Sequence, residues 1–239
     1  MKIALLGYGK MGKTIEEIIR SQTDLEIVLV IDKDNSADLT TKNLQKADVA
    51  IEFTTPATAV HNINACVEAG IPVVVGTTGW YSELEAVTEN ALAKNGAIIY
   101  ATNFSIGVNI FFEINKILAE MMCDQKQYEV SIEETHHTQK LDAPSGTAIT
   151  LAEKILSKIN SKKTWVNNAT INKEELEIIS KRIENVPGTH EVIYRSDADE
   201  IKLIHTARSR KGFAEGALLA AKWIRDKKGV FTMKDVLGM

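Results

Sequence analysis

A short apolar run at residues 3–6 leads directly into Gly7-Tyr8-Gly9-Lys10-Met11-Gly12, and Met11, Ile15, Ile18 and Ile19 then recur at helical spacing. A glycine turn between a strand and a helix narrows the possible folds more than any other feature of this chain. Gly7 permits the tight turn, Gly9 lets a pyrophosphate approach the backbone, and Gly12 lets the helix pack closely on the strand. The helix start supplies free N–H groups and a positive dipole end for phosphates. The pattern G-x-G-x-x-G alone is a weak signal, but its position here predicts a dinucleotide-binding turn.

Four more apolar runs follow at residues 27–31, 49–51, 73–75 and 97–100. They are continuous rather than alternating, as in strands buried on both faces of a parallel sheet. Helical patterns between most of them, such as Leu84, Val87 and Ala91, give an α/β layer fold with right-handed crossovers. Asp32 ends the second run, twenty residues after Gly12. A carboxylate there accepts hydrogen bonds from the adenosine ribose and favours NAD. Lys33 and Lys10 are cations able to neutralise the 2′-phosphate of NADP, so NADH and NADPH both remain candidate cofactors. In open α/β sheets, ligands bind beyond the carboxyl ends of the strands. On that ground Gly76, Thr77 and Thr78 are read as ligand contacts, whereas Thr54 or Thr55 caps the next helix.

The fifth run enters Ala101-Thr102-Asn103-Phe104-Ser105-Ile106-Gly107-Val108-Asn109, and Ile110, Ile114, Ile117, Leu118 and Met121 then mark a long amphipathic helix. A hinge is expected near residues 103–108. From Tyr128 the period changes to two, with Val130 and Ile132 alternating with polar residues. Residues 176–183, 190–195 and 201–208 read as further strands, and residues 160–175 as a surface excursion. Ala148, Leu151, Ala152, Ile155, Leu156 and Ile159 mark a covering helix. The expected fold class is α/β: a Rossmann-type parallel-sheet domain plus a smaller α+β substrate domain with a mostly antiparallel sheet. The expected boundaries are 1–105 for the dinucleotide domain and 106–210 for the substrate and oligomerisation domain. Residues 211–239 are expected to pack back onto the first.

A formal net charge of −4 gives no reason to expect nucleic acid or an anionic membrane as partner. No apolar run approaches the roughly 20 residues that span a bilayer. Cys66 and Cys123 lie far apart within helical patterns, so both are expected to be buried, inert thiols in a reducing, cytoplasmic compartment.

The densest chemistry lies in Glu134-Thr135-His136-His137-Thr138-Gln139-Lys140-Leu141-Asp142-Ala143-Pro144-Ser145-Gly146-Thr147-Ala148. His136 and His137 are adjacent and point opposite ways on an extended chain, so no shared metal is expected. Imidazole titrates near neutral pH and can act as acid or base. Ser145, Gly146 and Thr147 open a helix, a suitable seat for a carboxylate. The bland alternative is a plain N-cap beside solvated histidines.

These residues resemble the 4-hydroxy-tetrahydrodipicolinate reductase (dihydrodipicolinate reductase) family, whose motif reads roughly E-x-H-x-x-x-K-x-D-x-P-S-G-T-A. The likeness extends to the glycine turn, to Gly76-Thr77-Thr78-Gly79, to residues 103–109, and to Arg210 with Phe213-Ala214-Glu215-Gly216-Ala217. It implies an NAD(P)H-dependent enzyme of lysine and diaminopimelate biosynthesis. Hydride would pass to C4 of a cyclic dicarboxylate after loss of its 4-hydroxyl, and a proton would be added at C3. The resemblance implies His136 and Lys140 as the proton-handling residues, and His137, Ser145, Gly146 and Thr147 as substrate contacts. It implies residues 7–12, Asp32, Gly76 to Thr78, Ala101, Thr102, Asn103 and Phe104 as cofactor contacts, and a homotetramer. Two other readings stand beside it. One is a two-domain dehydrogenase of another amino or semialdehyde acid, which the His136/Lys140 spacing disfavours. The other is a silent NAD-binding regulator, which would need no proton donors.

Overall fold

A computed structural model describes residues 1–239 of the chain. They form two compact units, one of residues 1–106 with 210–239, the other of residues 107–209. The first contains β1 (Lys2–Leu6), α1 (Lys10–Arg20), β2 (Glu26–Ile31), α2 (Thr41–Leu44), β3 (Val49–Glu52), α3 (Pro56–Ala69), β4 (Val73–Val75), α4 (Leu84–Ala93) and β5 (Ala97–Tyr100). The linking helix α5 (Ile106–Met122) opens the second, which holds β6 (Glu129–His136), α6 (Gly146–Leu156), β7 (Thr164–Val166), β8 (Glu175–Arg182), β9 (Gly188–Arg195) and β10 (Glu200–Ala207). The chain returns to the first unit through α7 (Lys211–Ile224), β11 (Gly229–Phe231) and α8 (Met233–Leu237).

The first sheet has the order β11-β5-β4-β3-β1-β2, and every pairing is parallel. Its apolar strands separate two cores. One lies against α1 and α7, with Ile15, Ile19, Ala217 and Ala221; the other lies against α3 and α4, with Ile63, Val67 and Val87. This is the two-sided burial that continuous apolar runs require. The order reverses between β1 and β3, so the chain turns at the carboxyl end of β1, beside Gly7.

The second sheet has the order β10-β9-β6-β8-β7 and is mixed. β9 pairs antiparallel with both β6 and β10, whereas β8 pairs parallel with β6 and β7. The parallel half arises because the chain crosses over through α6 before β7 and β8 form. β7 lies within the stretch expected as a surface excursion. The inner face packs Ile132, Ile178, Val192 and Tyr194 against Leu151, Ile155 and residues of α5.

Two local expectations are corrected. α5 turns Val108, Phe111, Phe112, Asn115 and Ala119 inward, while Ile110, Ile114, Ile117 and Met121 are 44, 46, 58 and 70% exposed. The helix is apolar on more than one side, and the aromatic face takes the core. Cys66 is buried in α3, where burial raises its thiol pKa, but Cys123 is exposed just past the end of α5.

Candidate active site and dinucleotide turn

The alternation of β6 sends Val130, Ile132, Glu134 and His136 to its buried side and leaves Ser131, Glu133 and Thr135 on the other. Register then decides their neighbours. His190 of β9 lies directly opposite Glu134, Ser180 of β8 pairs with Glu134 on the other side, and Arg182 pairs with His136. A carboxylate, two imidazoles and a guanidinium thus meet at one end of the sheet.

Glu134 is fully buried. Its Oε1 accepts from Ser180 Oγ at 2.8 Å, from the Ser145 N–H at 3.1 Å, and from Arg182 at 3.3 and 3.4 Å. Its Oε2 lies 3.5 Å from His136 Nδ1 and 3.6 Å from His190 Nε2. Burial opposes the charge, but the nearby His190 ring, hydrogen bonds from Ser145 and Ser180, and the potential of His136 outweigh it, holding the carboxyl well below its ordinary range. His136 moves the same way for a different reason. Burial and repulsion by His190, aided by Lys140 and Arg182, outweigh attraction by Glu134 and lower the imidazole to about 4. The ring is therefore neutral near pH 7. Its Cδ2–Nε2 edge lies against Gly188, where a Cβ would come within 3.1 Å of the ring.

Lys140 sits on the turn after β6, its N–H donating to His137 O at 3.1 Å. Its ammonium pairs with both carboxylate oxygens of Asp142 at 2.8 Å. Arg182 reaches the same turn, donating to Lys140 O at 3.2 Å and Asp142 O at 2.5 Å. His137 is half-buried, and its Nδ1 has no hydrogen-bond partner. Ser145 is the N-cap of α6. Its hydroxyl accepts from Ala148 N–H at 3.2 Å and touches His190 Nε2 at 3.1 Å. With its N–H on Glu134, Ser145 is turned into the protein. Gly146 is exposed at the helix start and Thr147 is buried beside it.

Glu134, His136 and His190 bring ligand-type atoms within 4.8 Å of one another, a spacing a metal ion could use. The Glu134 carboxylate is already engaged by the Arg182 guanidinium, so a cation stands there from the chain itself. The cluster is a hydrogen-bonded network built around that pair.

In the first unit the glycine turn has a distinct geometry at each position. Gly7 has φ +96°, and a Cβ there would fall 2.0 Å from Phe53 O. A Cβ on Gly12 would fall 2.3 Å from Gly7 O, so α1 and the turn are in backbone contact. Gly9 is exposed, with nothing within 4 Å of an added Cβ, and α1 has no acidic residue in its first turn. An open, acid-free helix start fits a dinucleotide pyrophosphate. Tyr8 is tied to Glu16, while Lys10 is exposed and Met11 half-buried. Asp32 and Lys33 are exposed at the carboxyl end of β2.

Other candidate cofactor residues divide between surface and core. Thr78 and Thr102 are exposed and Ala101 is half-buried. Thr77 is buried, its hydroxyl accepting from Thr54 N–H at 2.8 Å. Gly76 makes room for the Phe53 ring, which a Cβ would meet at 2.0 Å. Asn103 is buried, its Oδ1 accepting from Ser105 N–H at 2.9 Å. The Phe104 side chain belongs to the core and packs edge-on against Phe53.

Comparison with known proteins gives one consistent result. The family model "Dihydrodipicolinate reductase, N-terminus" matches residues 1–104, and "Dihydrodipicolinate reductase, C-terminus" matches residues 107–237. The chain belongs to the dihydrodipicolinate reductase family. It is 52% identical over 238 residues to 4-hydroxy-tetrahydrodipicolinate reductase of Christiangramia forsetii, covering 99% of this chain and 98% of the relative. The enzyme of the same name from Methanocaldococcus jannaschii is 35% identical, covering 100% and 98%. A solved structure, dipicolinate-bound dihydrodipicolinate reductase from Paenisporosarcina sp. TG-14, superposes with a TM-score of 0.79 at 25% identity, covering 97% of each chain. An amine dehydrogenase from Mycobacterium smegmatis shares the fold at 9% identity, with a TM-score of 0.65.

Within this cluster, sequence reasoning did not single out His190, Ser180, Arg182 or Gly188. All four enter the cluster through strand register, from positions 46 to 56 residues beyond Glu134, Ser180 and Arg182 on β8 and Gly188 and His190 on β9. Gly188 and His190 lie two residues apart at the start of β9, and nothing local to Ser180 or Arg182 marks them.

Proposed function

We infer that this chain is an NAD(P)H-dependent oxidoreductase that reduces 4-hydroxy-tetrahydrodipicolinate to tetrahydrodipicolinate in lysine and diaminopimelate biosynthesis. The observation that carries this is the 52% identity running through the whole chain, not one motif. The glycine turn, open at Gly9 and free of acidic side chains in the following helical turn, fits the phosphates of NADH or NADPH. The bound cofactor supplies a hydride.

In the reading we favour, the first unit takes the dinucleotide through residues 7–12, Asp32, Lys33, Gly76 to Thr78 and residues 101–104. The second unit takes the dicarboxylate. Gly146 and Thr147 at the start of α6, with His137, hold a substrate carboxylate, and Ser145 holds the helix start in place. His136 and Lys140 handle protons. The neutral imidazole of His136 can accept a proton, and a nearby dianionic substrate raises its affinity for one. Lys140 carries its proton on an ammonium that also attracts the substrate. Fixing the ring against these groups is orientation catalysis.

We also propose a homo-oligomer, a tetramer by family resemblance, acting in the cytoplasm. The exposed apolar stripe of α5, from Ile110 to Met121, supports self-association, because isolated folds rarely expose such a row. No helix is long and apolar enough to cross a membrane.

The deciding experiment follows absorbance at the reduced-nicotinamide band with substrate made in place by the preceding synthase. Oxidation of NADH or NADPH is expected, and comparing the two cofactors ranks the influence of Asp32 against Lys33. No oxidation of either would overturn the assignment.

A further inference from the structure

Two charged residues of the reaction site have no task in the mechanism above. Glu134 is buried with no path to a reacting atom of its own, and Arg182 spends its donors within the chain. We propose that Glu134 and Arg182 are the positioning pair of this site: the carboxylate sets the tautomer and orientation of His136, and the guanidinium ties the Lys140 turn to that same carboxylate. The proposal rests on His136 and Lys140 being the proton-handling residues.

The geometry supports each half. His136 Nδ1 is buried and has no hydrogen-bond partner closer than Glu134 Oε2 at 3.5 Å. A buried N–H is best satisfied toward that anion, which puts the ring proton on Nδ1 and leaves Nε2 as the working nitrogen. The carboxylate is itself immobilised by Ser180 Oγ, the Ser145 N–H and Arg182. The ring thus inherits a fixed orientation from a fixed partner.

Arg182 spans a wider gap. One side of its guanidinium meets Glu134 Oε1, while Nε and Nη2 donate to the carbonyls of Lys140 and Asp142. A rigid fork of five N–H groups can hold a carboxylate and two carbonyls together, which a lysine ammonium cannot do at that span. The backbone on either side of Leu141, which is almost fully exposed, is therefore anchored from β8. The titratable and charged groups facing His136 are Glu134 on its own strand, His190 from β9, Arg182 from β8 and Lys140 from the turn. Glu134 favours the imidazolium and Arg182 opposes it, so removing them must act with opposite signs.

The test uses the full-length enzyme with labelled histidine, following the His136 ring by NMR through a pH titration. In E134Q the His136 midpoint should fall, and in R182Q it should rise, each by roughly one pH unit. R182K keeps the charge but loses the fork. Its midpoint should stay near wild type while kcat falls roughly tenfold or more, substrate KM changes much less, and amides of residues 138–142 exchange faster. If the buried E134Q protein does not fold, R182Q and R182K, altered at a side chain that is 21% exposed, still decide the matter. Midpoints that stay put or move together, or an R182K enzyme with wild-type kcat, would overturn the pair. A fully active H136Q enzyme would instead overturn the underlying assignment of His136, a result the titrations do not depend on.

Discussion

Glu52 and Glu134 are both fully buried, but their carboxyls meet different partners. At Glu52, burial raises the pKa, and hydrogen bonds from Thr54, Thr77 and Asn62 offset it only in part, with Oε2 left without a partner. A raised folded value means its contribution to stability is complete below the ordinary carboxylate value of 4.5 and is lost as pH rises toward the folded value. Glu52→Gln keeps the acceptor and removes the titration. The melting temperature of the variant relative to wild type should climb as pH rises above 4.5; a constant difference would show that the fold does not raise the Glu52 pKa. Glu134 and His136 have lowered values, so both stabilise the fold above their ordinary ranges and lose that contribution on acidification. For turnover, Lys140→Ala and His136→Gln are each expected to lower kcat by about 10²–10⁴-fold. NADH affinity, measured by fluorescence, should barely move, and a large loss of NADH binding would place these side chains elsewhere. The spacing of His136, Lys140 and Ser145 was legible in the sequence because one loop carries all three. Their supports were not, because His190 and Arg182 become neighbours only when register is set by strands far apart in the chain.

Among the elements, two glycines near the first sheet separate packing from binding. Gly216 lies inside α7, where an added Cβ would fall 1.8 Å from Phe104 O. Neither partner can give way, since one is helix backbone and the other belongs to the core. Gly216→Ala should cost about 3 kcal/mol, which corresponds to a fall of roughly 6–12 °C in melting temperature. Gly9 has φ −76° and open space around an added Cβ. Gly9→Ala should leave the melting curve almost unchanged yet weaken NADH binding roughly tenfold or more, because a pyrophosphate could no longer reach the backbone. Unaltered NADH affinity in Gly9→Ala would argue against phosphate approach at this turn. The sequence pattern identified β1 to β5 of the first sheet because continuous apolar runs leave little choice. It missed β7 and β11, each three residues long and too short to display a period. It also chose the wrong face of α5, since apolar residues line both sides and only packing against β6 and α6 selects the aromatic one.

For the molecule as a whole, the consequential feature is the return of the chain to its first unit after residue 209. Ala214, Ala217, Leu218, Ala221 and Ile224 of α7 are buried with Ile3, Leu5, Ile51 and Val74, strand residues more than 130 positions earlier. β11 then extends the sheet beside β5, and Lys222 pairs with Asp24 at 2.9 Å. The final helix adds Met233, also buried in that core. Without these elements, one face of the parallel sheet would present its apolar side chains to water, at roughly 25 cal/mol for each Å² uncovered. That loss is large against a net stability of about 5–15 kcal/mol for a typical domain. A chain ending at Ser209 keeps every candidate dinucleotide residue from Gly7 to Phe104, yet it should fail to form the first unit. The expected signs are a lost cooperative melt, binding of an apolar dye, and no NADH-dependent fluorescence change. The second unit, residues 107–209, keeps all of its own strands and should retain strand signal in the circular dichroism spectrum. A truncated chain that melts cooperatively and binds NADH would mean that α7 only decorates the sheet, and the residues around Gly216 would then need another explanation for their close fit to Phe104.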